Sequence, residues 1–235
     1  MNANLPTEVE FQIDQDACLK GFLRTPPEPR GMIVFVHGSG SSRFSTRNHQ
    51  VARALTQAGF ATLLMDLLTA CEEQTDAITR ELRFDIPLLA RRVIATIDWL
   101  GSQAPLAELP VGLFGASTGA AAALVGASEQ PERVAAIVCR GGRPDLAGES
   151  LKLVRAPTLM IVGSLDTTVL ELNRYASYRM FAPLRLVIID GATHLFEEPR
   201  ALEQVSQHAL GWFTKYLIRL PPDRSSAFRP AEART

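Results

Sequence analysis

The chain of 235 residues carries 24 basic and 25 acidic side chains, a balance that gives no electrostatic reason to expect nucleic acid or an anionic membrane as a partner. Its cysteines, Cys18, Cys71 and Cys139, are widely spaced and form no Cys-x-x-Cys pair, which argues against a disulfide framework or a zinc site and favours a reducing cytoplasm. The hydrophobic content of 46% is ample for a large core, but no apolar stretch approaches the roughly 18 residues that span a bilayer, and residues 1–10 lack the apolar centre of a signal peptide.

The first half of the chain predicts a hairpin followed by alternating strands and helices. Alternating apolar and polar residues at 9–13 and 19–23 indicate two antiparallel strands at a sheet edge, with residues 14–16 as their turn. The continuous apolar run at 32–36 is typical of a strand buried on both faces, the next buried strand is predicted at 61–65, and a helical pattern at 48–58 lies between them. A long amphipathic helix is predicted over 82–100, with Pro87 near a kink or break.

The second half continues this alternation. Strands are predicted at 111–114, 134–138, 158–162 and 186–189, and helices at 117–127, 170–181 and 199–217. Repeated strand–helix alternation implies an α/β fold with a mostly parallel sheet of about eight strands and helices on both faces. We expect a single domain over residues 1–220 and a flexible tail over 221–235. The short connection after residue 138 predicts little or no lid.

A serine stands between a predicted strand and a predicted helix, in the sequence Gly115-Ala116-Ser117-Thr118-Gly119. A sharp strand–turn–helix connection of this kind presents its serine on a strained turn, with the start of a helix beneath the hydroxyl. The alternative interpretation of Ser117 is an ordinary helix N-cap. An aspartate and then a histidine at later strand ends favour a nucleophile.

Three further strand ends carry side chains suited to acyl transfer. The carboxyl ends of parallel strands meet at one edge of a sheet, so Ser117, Asp166 and His194 are expected to lie together there. They supply a nucleophile, an orienting acid and a base in turn. Asp190 and Asp66 also end strands and compete with Asp166 for the role of the acid. For His194 the alternative is a histidine that satisfies its own loop.

The order Ser, Asp, His and the segments 37–48 and 115–119 resemble those of α/β-hydrolases, in particular the small, lid-poor dienelactone-hydrolase-like branch, over roughly residues 32–217. By this resemblance the backbone N–H groups of Thr118 and Ser39 form the oxyanion hole, and Gly38 and Gly40 let the intervening loop bend. The namesake enzymes use cysteine as the nucleophile. Because this chain has Ser117 instead, an ester other than a dienelactone is expected.

Several arginines and two other side chains near these strand ends have both functional and structural interpretations. The arginines are candidates for binding a carboxylate or phosphate of the substrate, but we favour pairing with nearby acids. Two more residues are expected to be structural, His37 through hydrogen bonds in its own loop and Cys71 as a buried thiol. The arginines are Arg43, Arg47, Arg140 and Arg143, and the acids considered are Asp66, Asp145 and Glu72.

These features together predict a serine hydrolase that cleaves a small-molecule carboxylic ester through an acyl-enzyme intermediate, with no metal and no organic cofactor. The same triad would also serve acyl transfer, perhydrolysis, or hydrolysis of an amide or thioester. A non-catalytic binding protein on a hydrolase scaffold is the alternative from a different class, since a fold does not guarantee activity.

Overall fold

A computed structural model describes residues 5–13 and 17–218. Eight strands form one sheet, in the spatial order first, second, fourth, third, then fifth to eighth. The first two pair antiparallel with each other, the second pairs antiparallel with the fourth, and all remaining pairs are parallel. The strands are β1 (Thr7–Gln12), β2 (Cys18–Arg24), β3 (Met32–Val36), β4 (Ala61–Met65), β5 (Val111–Ala116), β6 (Val134–Arg140), β7 (Thr158–Gly163) and β8 (Leu184–Ile189).

The predicted α/β fold, with a mostly parallel sheet of about eight strands, is thus confirmed. Two segments with a predicted conformation, the hairpin turn at 14–16 and the tail at 221–235, lie outside the described residues. The helices are α1 (Thr46–Gln57), α2 (Ala70–Thr79), α3 (Ile86–Ser102), α4 (Thr118–Glu129), α5 (Thr167–Ser177) and α6 (Ala201–Leu217).

The helices cover both faces of the sheet, which explains why the central strands read as unbroken apolar runs. Val34 of β3 belongs to one apolar cluster with Val93 of α3, whereas its neighbour Phe35 belongs to the other cluster with Leu55 of α1 and Phe213 of α6. Successive side chains of a strand point to opposite faces. Both faces therefore require apolar residues, and the reactive groups are left to the strand ends.

The helix predicted over 82–100 is wrong at its beginning. A 3-10 turn occupies Leu82–Phe84, and α3 begins only at Ile86, with Pro87 in its first turn. Proline is tolerated there because the N–H it lacks would have no partner within the helix. The Asp85 carboxylate caps this end by accepting from the N–H of Leu88 at 2.9 Å.

Helix α2 was missed, although the sequence contains its start signal. The Thr69 hydroxyl accepts from the N–H of Glu72 at 3.2 Å, and the Glu72 carboxylate accepts from the N–H of Thr69 at 2.7 Å. This reciprocal capping box follows the pattern Thr-x-x-Glu.

The carboxyl edge of the sheet is open. Residues 141–157, which join β6 to β7, contain two short 3-10 turns within Pro144–Lys152, separated at Gly148, and no inserted lid, as the sequence predicts. Within the part of the chain that the structure describes, no helix combines the length and apolar character needed to cross a membrane.

Candidate active site

Ser117 occupies a strained turn between β5 and α4. Its φ of 50° and ψ of −122° lie in a region that costs a non-glycine residue about 1–3 kcal/mol. The flanking glycines are required by close backbone approach: a Cβ on Gly115 would lie 2.5 Å from the Cα of Ala120, and one on Gly119 would lie 2.3 Å from the carbonyl oxygen of His37. The turn is therefore wedged between the end of β3 and the first residues of α4.

The backbone of Ser117 is anchored while its hydroxyl is not. Its N–H donates to the carbonyl of Arg140 at 3.2 Å, and its carbonyl accepts from the N–H of Arg143 at 3.0 Å. Although Ser117 takes the position before α4, its hydroxyl makes no capping hydrogen bond, nor one to any other described residue. The N-cap interpretation of this serine therefore has no support, and its oxygen is available for chemistry.

Asp166 and His194 form a close pair. The carboxylate Oδ2 of Asp166 lies 2.6 Å from Nδ1 of His194, and their side chains are 13% and 38% exposed. A carboxylate at this position favours the imidazole with its proton on Nδ1 and leaves Nε2 free to accept one. The two loops are in backbone contact, since a Cβ on Gly163 would lie 2.2 Å from the carbonyl oxygen of Ala192.

The other two candidate acids make different contacts. Asp190 accepts from the hydroxyl of Ser164 at 3.3 Å. Asp66 is buried, accepts from the backbone N–H of Arg43 at 2.8 Å and forms an ion pair with the same guanidinium. Of the three carboxylates considered from the sequence, Asp166 is the one that contacts His194.

The turn after β6 contacts both Ser117 and His194. The carbonyl of Arg140 binds the N–H of Ser117, and the next residue, Gly141, has a φ of 51°. A Cβ on Gly141 would lie 3.3 Å from Nδ1 and 3.4 Å from Cε1 of His194. The hydroxyl of Ser117 is not hydrogen-bonded to the imidazole of His194. In serine hydrolases the hydrogen bond between nucleophile and base commonly forms only when substrate binds.

The loop after β3 has an occupied amide. The N–H of Ser39, the predicted second oxyanion donor, donates to the hydroxyl Oγ1 of Thr118 at 2.8 Å. The loop touches the nucleophile directly, because a Cβ on Gly38 would lie 2.9 Å from the Cβ of Ser117. Gly40, with a φ of 69°, turns the chain away. A carbonyl oxygen must therefore displace the Thr118 hydroxyl to reach the amide of Ser39.

His37 supports this loop from beneath. Its Nε2 accepts from the N–H of Leu67 at 3.2 Å, so the proton lies on Nδ1, which donates to the carbonyl of Gly38 at 2.9 Å. Burial lowers the pKa of the imidazole, which keeps it neutral. These contacts agree with a structural His37, and they extend beyond its own loop to the segment after β4.

A cavity of about 280 Å³ lies beside this loop, on the side of α2 and α3. Leu67, Leu68 and Leu89 make it partly apolar, while the loop hydroxyls and Glu73 make it partly polar. Burial, followed by the charge of Asp66, raises the pKa of Glu73. Ser117, Asp166 and His194 do not line the cavity, which adjoins the nucleophile through Gly38.

The arginines divide into paired and unpaired groups. Arg43 pairs with Asp66 and with Glu8, the latter at 2.9 Å, and Arg47 pairs with Glu197 at 2.9 Å. Arg143 likewise pairs with Asp145, at 2.7 Å, as the favoured interpretation expects.

Arg140 differs from the others. It is 8% exposed, its Nε and Nη1 have no hydrogen-bond partner among the described residues, and burial lowers its pKa to about 10. Its guanidinium lies 6.0 Å from the ring centroid of Phe196. Of the four candidate anion-binding arginines, Arg140 is therefore the one without a carboxylate partner among the described residues.

Two other expectations were not met, for identifiable reasons. Cys71 is exposed rather than buried, because it lies in the first turn of the unforeseen helix α2. Glu72 pairs with Arg92 at 2.7 Å and not with the loop arginines. Across residues 5–13 and 17–218, no group of three or more His, Cys, Asp or Glu side chains is arranged to hold a metal ion.

Comparison with known proteins finds a family match, similar solved structures and longer sequence relatives. Residues 19–217 match the dienelactone hydrolase family. A crystal structure of a dienelactone hydrolase from Anabaena variabilis is 52% identical, with a TM-score of 0.87 over 91% of this chain and 99% of that one. The esterase domain of a Rhodothermus marinus protein is 22% identical, with a TM-score of 0.72 over 90% of this chain and 99% of that one, a likeness of fold.

Longer relatives occur in two strains of Mycobacterium tuberculosis, CDC 1551 and H37Rv. Both carry the provisional name phosphoribosyl transferase and are 56% identical over 197 residues, which is 84% of this chain and 44% of theirs. The chain thus spans less than half the length of these relatives.

Proposed function

Because the chain belongs to the dienelactone hydrolase family, an enzyme family of the hydrolase type, we propose that it is a serine hydrolase that cleaves small carboxylic esters. Ser117 is the nucleophile, His194 the base and Asp166 the orienting acid. The observation that carries this proposal is the 2.6 Å contact between Asp166 and His194, next to the turn after β6 that also anchors the strained turn of Ser117.

The reaction begins when Nε2 of His194 takes the proton of the Ser117 hydroxyl as its oxygen attacks the ester carbonyl carbon. The tetrahedral intermediate collapses, its C–O bond breaks, and the imidazolium returns the proton to the departing alcohol. Water then attacks the acyl-enzyme with the same base and releases the carboxylic acid. Asp166 holds the imidazole in one tautomer and stabilises its charged form in both halves.

The oxyanion is stabilised by two backbone donors. The N–H of Thr118, at the start of α4, has no partner among the described residues, and the N–H of Ser39 becomes free once the Thr118 hydroxyl moves aside. Loss of one such donor costs about 2.7–4 kcal/mol in other serine hydrolases. The positive end of the α4 dipole adds to this stabilisation.

The dimensions of the site support a small substrate. The carboxyl edge is open, and the cavity beside the oxyanion loop has a volume of about 280 Å³ with mixed polar and apolar walls. The name of the mycobacterial relatives describes the whole protein, of which this chain covers 44%, so that name does not carry over to this chain.

The direct test is hydrolysis of short p-nitrophenyl esters by Ser117→Ala. We expect kcat to fall by about 10⁴-fold or more. Ser128→Ala is the matched control: this serine lies on the same helix, and its hydroxyl only donates to the carbonyl of Val125. Activity of Ser117→Ala within a few fold of wild type would exclude the assigned nucleophile.

Labelling with a fluorophosphonate probe separates catalysis from binding. Modification of Ser117 in the wild type, absent from Ser117→Ala, is expected for a serine hydrolase. A folded wild-type protein that stays unlabelled would favour the non-catalytic alternative. Adding alcohols, amines or hydrogen peroxide as acceptors for the acyl-enzyme distinguishes hydrolysis from acyl transfer by the same triad.

A further inference from the structure

A second, small cavity lies at the opposite end of the sheet from Ser117. Its volume is about 80 Å³, and Arg24, Arg53, Thr56 and Gln57 line it. Arg24 pairs in register with Thr62, at the beginning of β4, whereas Ser117 follows the end of β5. We propose that this cavity binds a small tetrahedral oxyanion of the phosphate class, either free or as the terminal phosphate of a monoester.

The first support is the environment of Arg24. Its residue exposure is 5%, and its Nε and Nη1 have no hydrogen-bond partner among the described residues. Its Nη2 lies 3.0 Å from Nδ1 of His49, and no carboxylate forms an ion pair with it in the described part of the chain. A buried guanidinium without an acid is costly, so an anionic partner from outside would stabilise the site.

The second support is the sign of the surrounding charge. Arg53 reaches the same cavity and makes no ion pair or hydrogen bond with any described residue. Burial, and then the charge of Arg53, lowers the pKa of Arg24. Burial, and then the charge of Arg24, lowers the pKa of His49. These basic groups act against one another, and no acid contributes to either shift.

The third support is the match in size and chemistry. About 10–15 Å³ of such space holds one water, so a cavity of 80 Å³ admits a tetrahedral anion. Two arginines and the amide of Gln57 line the cavity with N–H donors of the kind that a phosphate requires, while the hydroxyl of Thr56, also in the lining, shares a hydrogen bond with that of Thr62 at 3.1 Å. Arg53 and Gln57 are exposed and form the mouth, which leaves room for the rest of a phosphate monoester in solvent.

The test uses the full chain titrated with inorganic phosphate against chloride at constant ionic strength, followed by thermal unfolding and calorimetry. We expect a saturable rise in Tm in the wild type. Arg53→Gln, at an exposed position, should raise the phosphate Kd by about tenfold or more. Arg91→Gln is the matched control, because Arg91 is an exposed arginine of α3 that does not line the cavity.

Gln57→Glu tests the site without altering either arginine. A carboxylate at this position should take the place of the anion, so we expect Tm to rise without phosphate and phosphate binding to disappear. Ethyl phosphate then separates the two sources: tighter binding than inorganic phosphate identifies a monoester, and equal binding identifies the free ion. A wild-type Tm that does not saturate with phosphate, or binding that survives unchanged in both Arg53→Gln and Gln57→Glu, would overturn the proposal.

Discussion

The backbone N–H of Ser39 donates to the hydroxyl of Thr118 at 2.8 Å, so the side chain that follows the proposed nucleophile occupies the amide that would hold the oxyanion. The neighbouring N–H of Thr118 itself has no partner within the part of the chain that the structure describes. The N–H of Thr118 is thus available before substrate binds, whereas the N–H of Ser39 has to exchange the Thr118 hydroxyl for the substrate oxygen.

Thr118→Val tests this exchange. Valine keeps the shape but cannot accept, so the substrate oxygen no longer competes for the Ser39 amide, and we expect kcat/KM for a p-nitrophenyl ester to rise by about two- to tenfold. The free energy of unfolding should fall by about 1 kcal/mol, since a partly buried amide loses its acceptor. Thr118→Ser, which retains the hydroxyl, should stay near wild type. A fall in kcat/KM for Thr118→Val would mean that the hydroxyl positions the loop instead.

Asp166→Asn should lower kcat by about 10⁴-fold with little change in stability, because an amide next to Nδ1 no longer favours the tautomer that leaves Nε2 free. Asp190→Asn is the matched control, since Asp190 contacts Ser164 and not the imidazole. Steady-state kinetics of both variants decide between the two aspartates. Equal losses in both would contradict the assignment of Asp166.

Gly119→Ala should destabilise the protein by at least about 3 kcal/mol, because the added methyl group would lie 2.3 Å from the carbonyl oxygens of Val36 and His37. Gly211→Ala, in α6, meets nothing within 4 Å and should instead stabilise the protein by about 0.5–1 kcal/mol. Urea unfolding measures both. Comparable stability of the two variants would show that the turn of Ser117 yields more readily than its contacts imply.

The free energy of unfolding should depend on the protonation of His37. Burial lowers its pKa in the folded protein below the ordinary value of 6.5. Above pH 6.5 the ring is neutral in both the folded and the unfolded state. Below pH 6.5 the unfolded chain binds a proton that the folded chain does not. The free energy of unfolding therefore decreases as the pH is lowered from 6.5 to the pKa of the folded state. One such proton contributes a slope of up to about 1.4 kcal/mol per pH unit.

His37→Gln should therefore reduce the slope of stability against pH between pH 6.5 and 5.5. The pKa of His208 is also lowered, by burial and by Arg185, but this side chain is less shielded, so His208→Gln serves as the control with a smaller change. Urea unfolding at three pH values gives the slopes. An unchanged slope in His37→Gln would place the pH dependence elsewhere.

The strands and the burial of both their faces were predictable because the apolar pattern that indicates them lies within each strand. The strands predicted at 32–36 and 61–65 coincide with β3 and β4, since short, largely apolar runs within this alternating pattern favour buried strands. The beginning of α3 was not predicted, because Leu82 and Leu89 fit one helical period although the chain changes direction at Asp85. Periodicity does not register such a break.

The pairing of Asp166 with His194 could be anticipated from topology, since both residues follow neighbouring parallel strands. The contact between Ser39 and Thr118 could not, because it joins residues 79 positions apart through a single rotamer. The cavity at Arg24 could not be anticipated either, because the absence of a carboxylate beside this guanidinium follows from the tertiary packing of the described residues. Patterns along the chain identify reactive groups but not the contacts that occupy them.

Gly141 carries no reactive group, yet a Cβ there would lie 3.3 Å from Nδ1 of His194, and its φ of 51° disfavours any other residue. A survey that ranks positions by nucleophilicity or charge would pass over it. A larger side chain at this position would crowd the imidazole before it contacted the substrate. Variants with altered selectivity are therefore better sought in the cavity walls formed by α2 and α3.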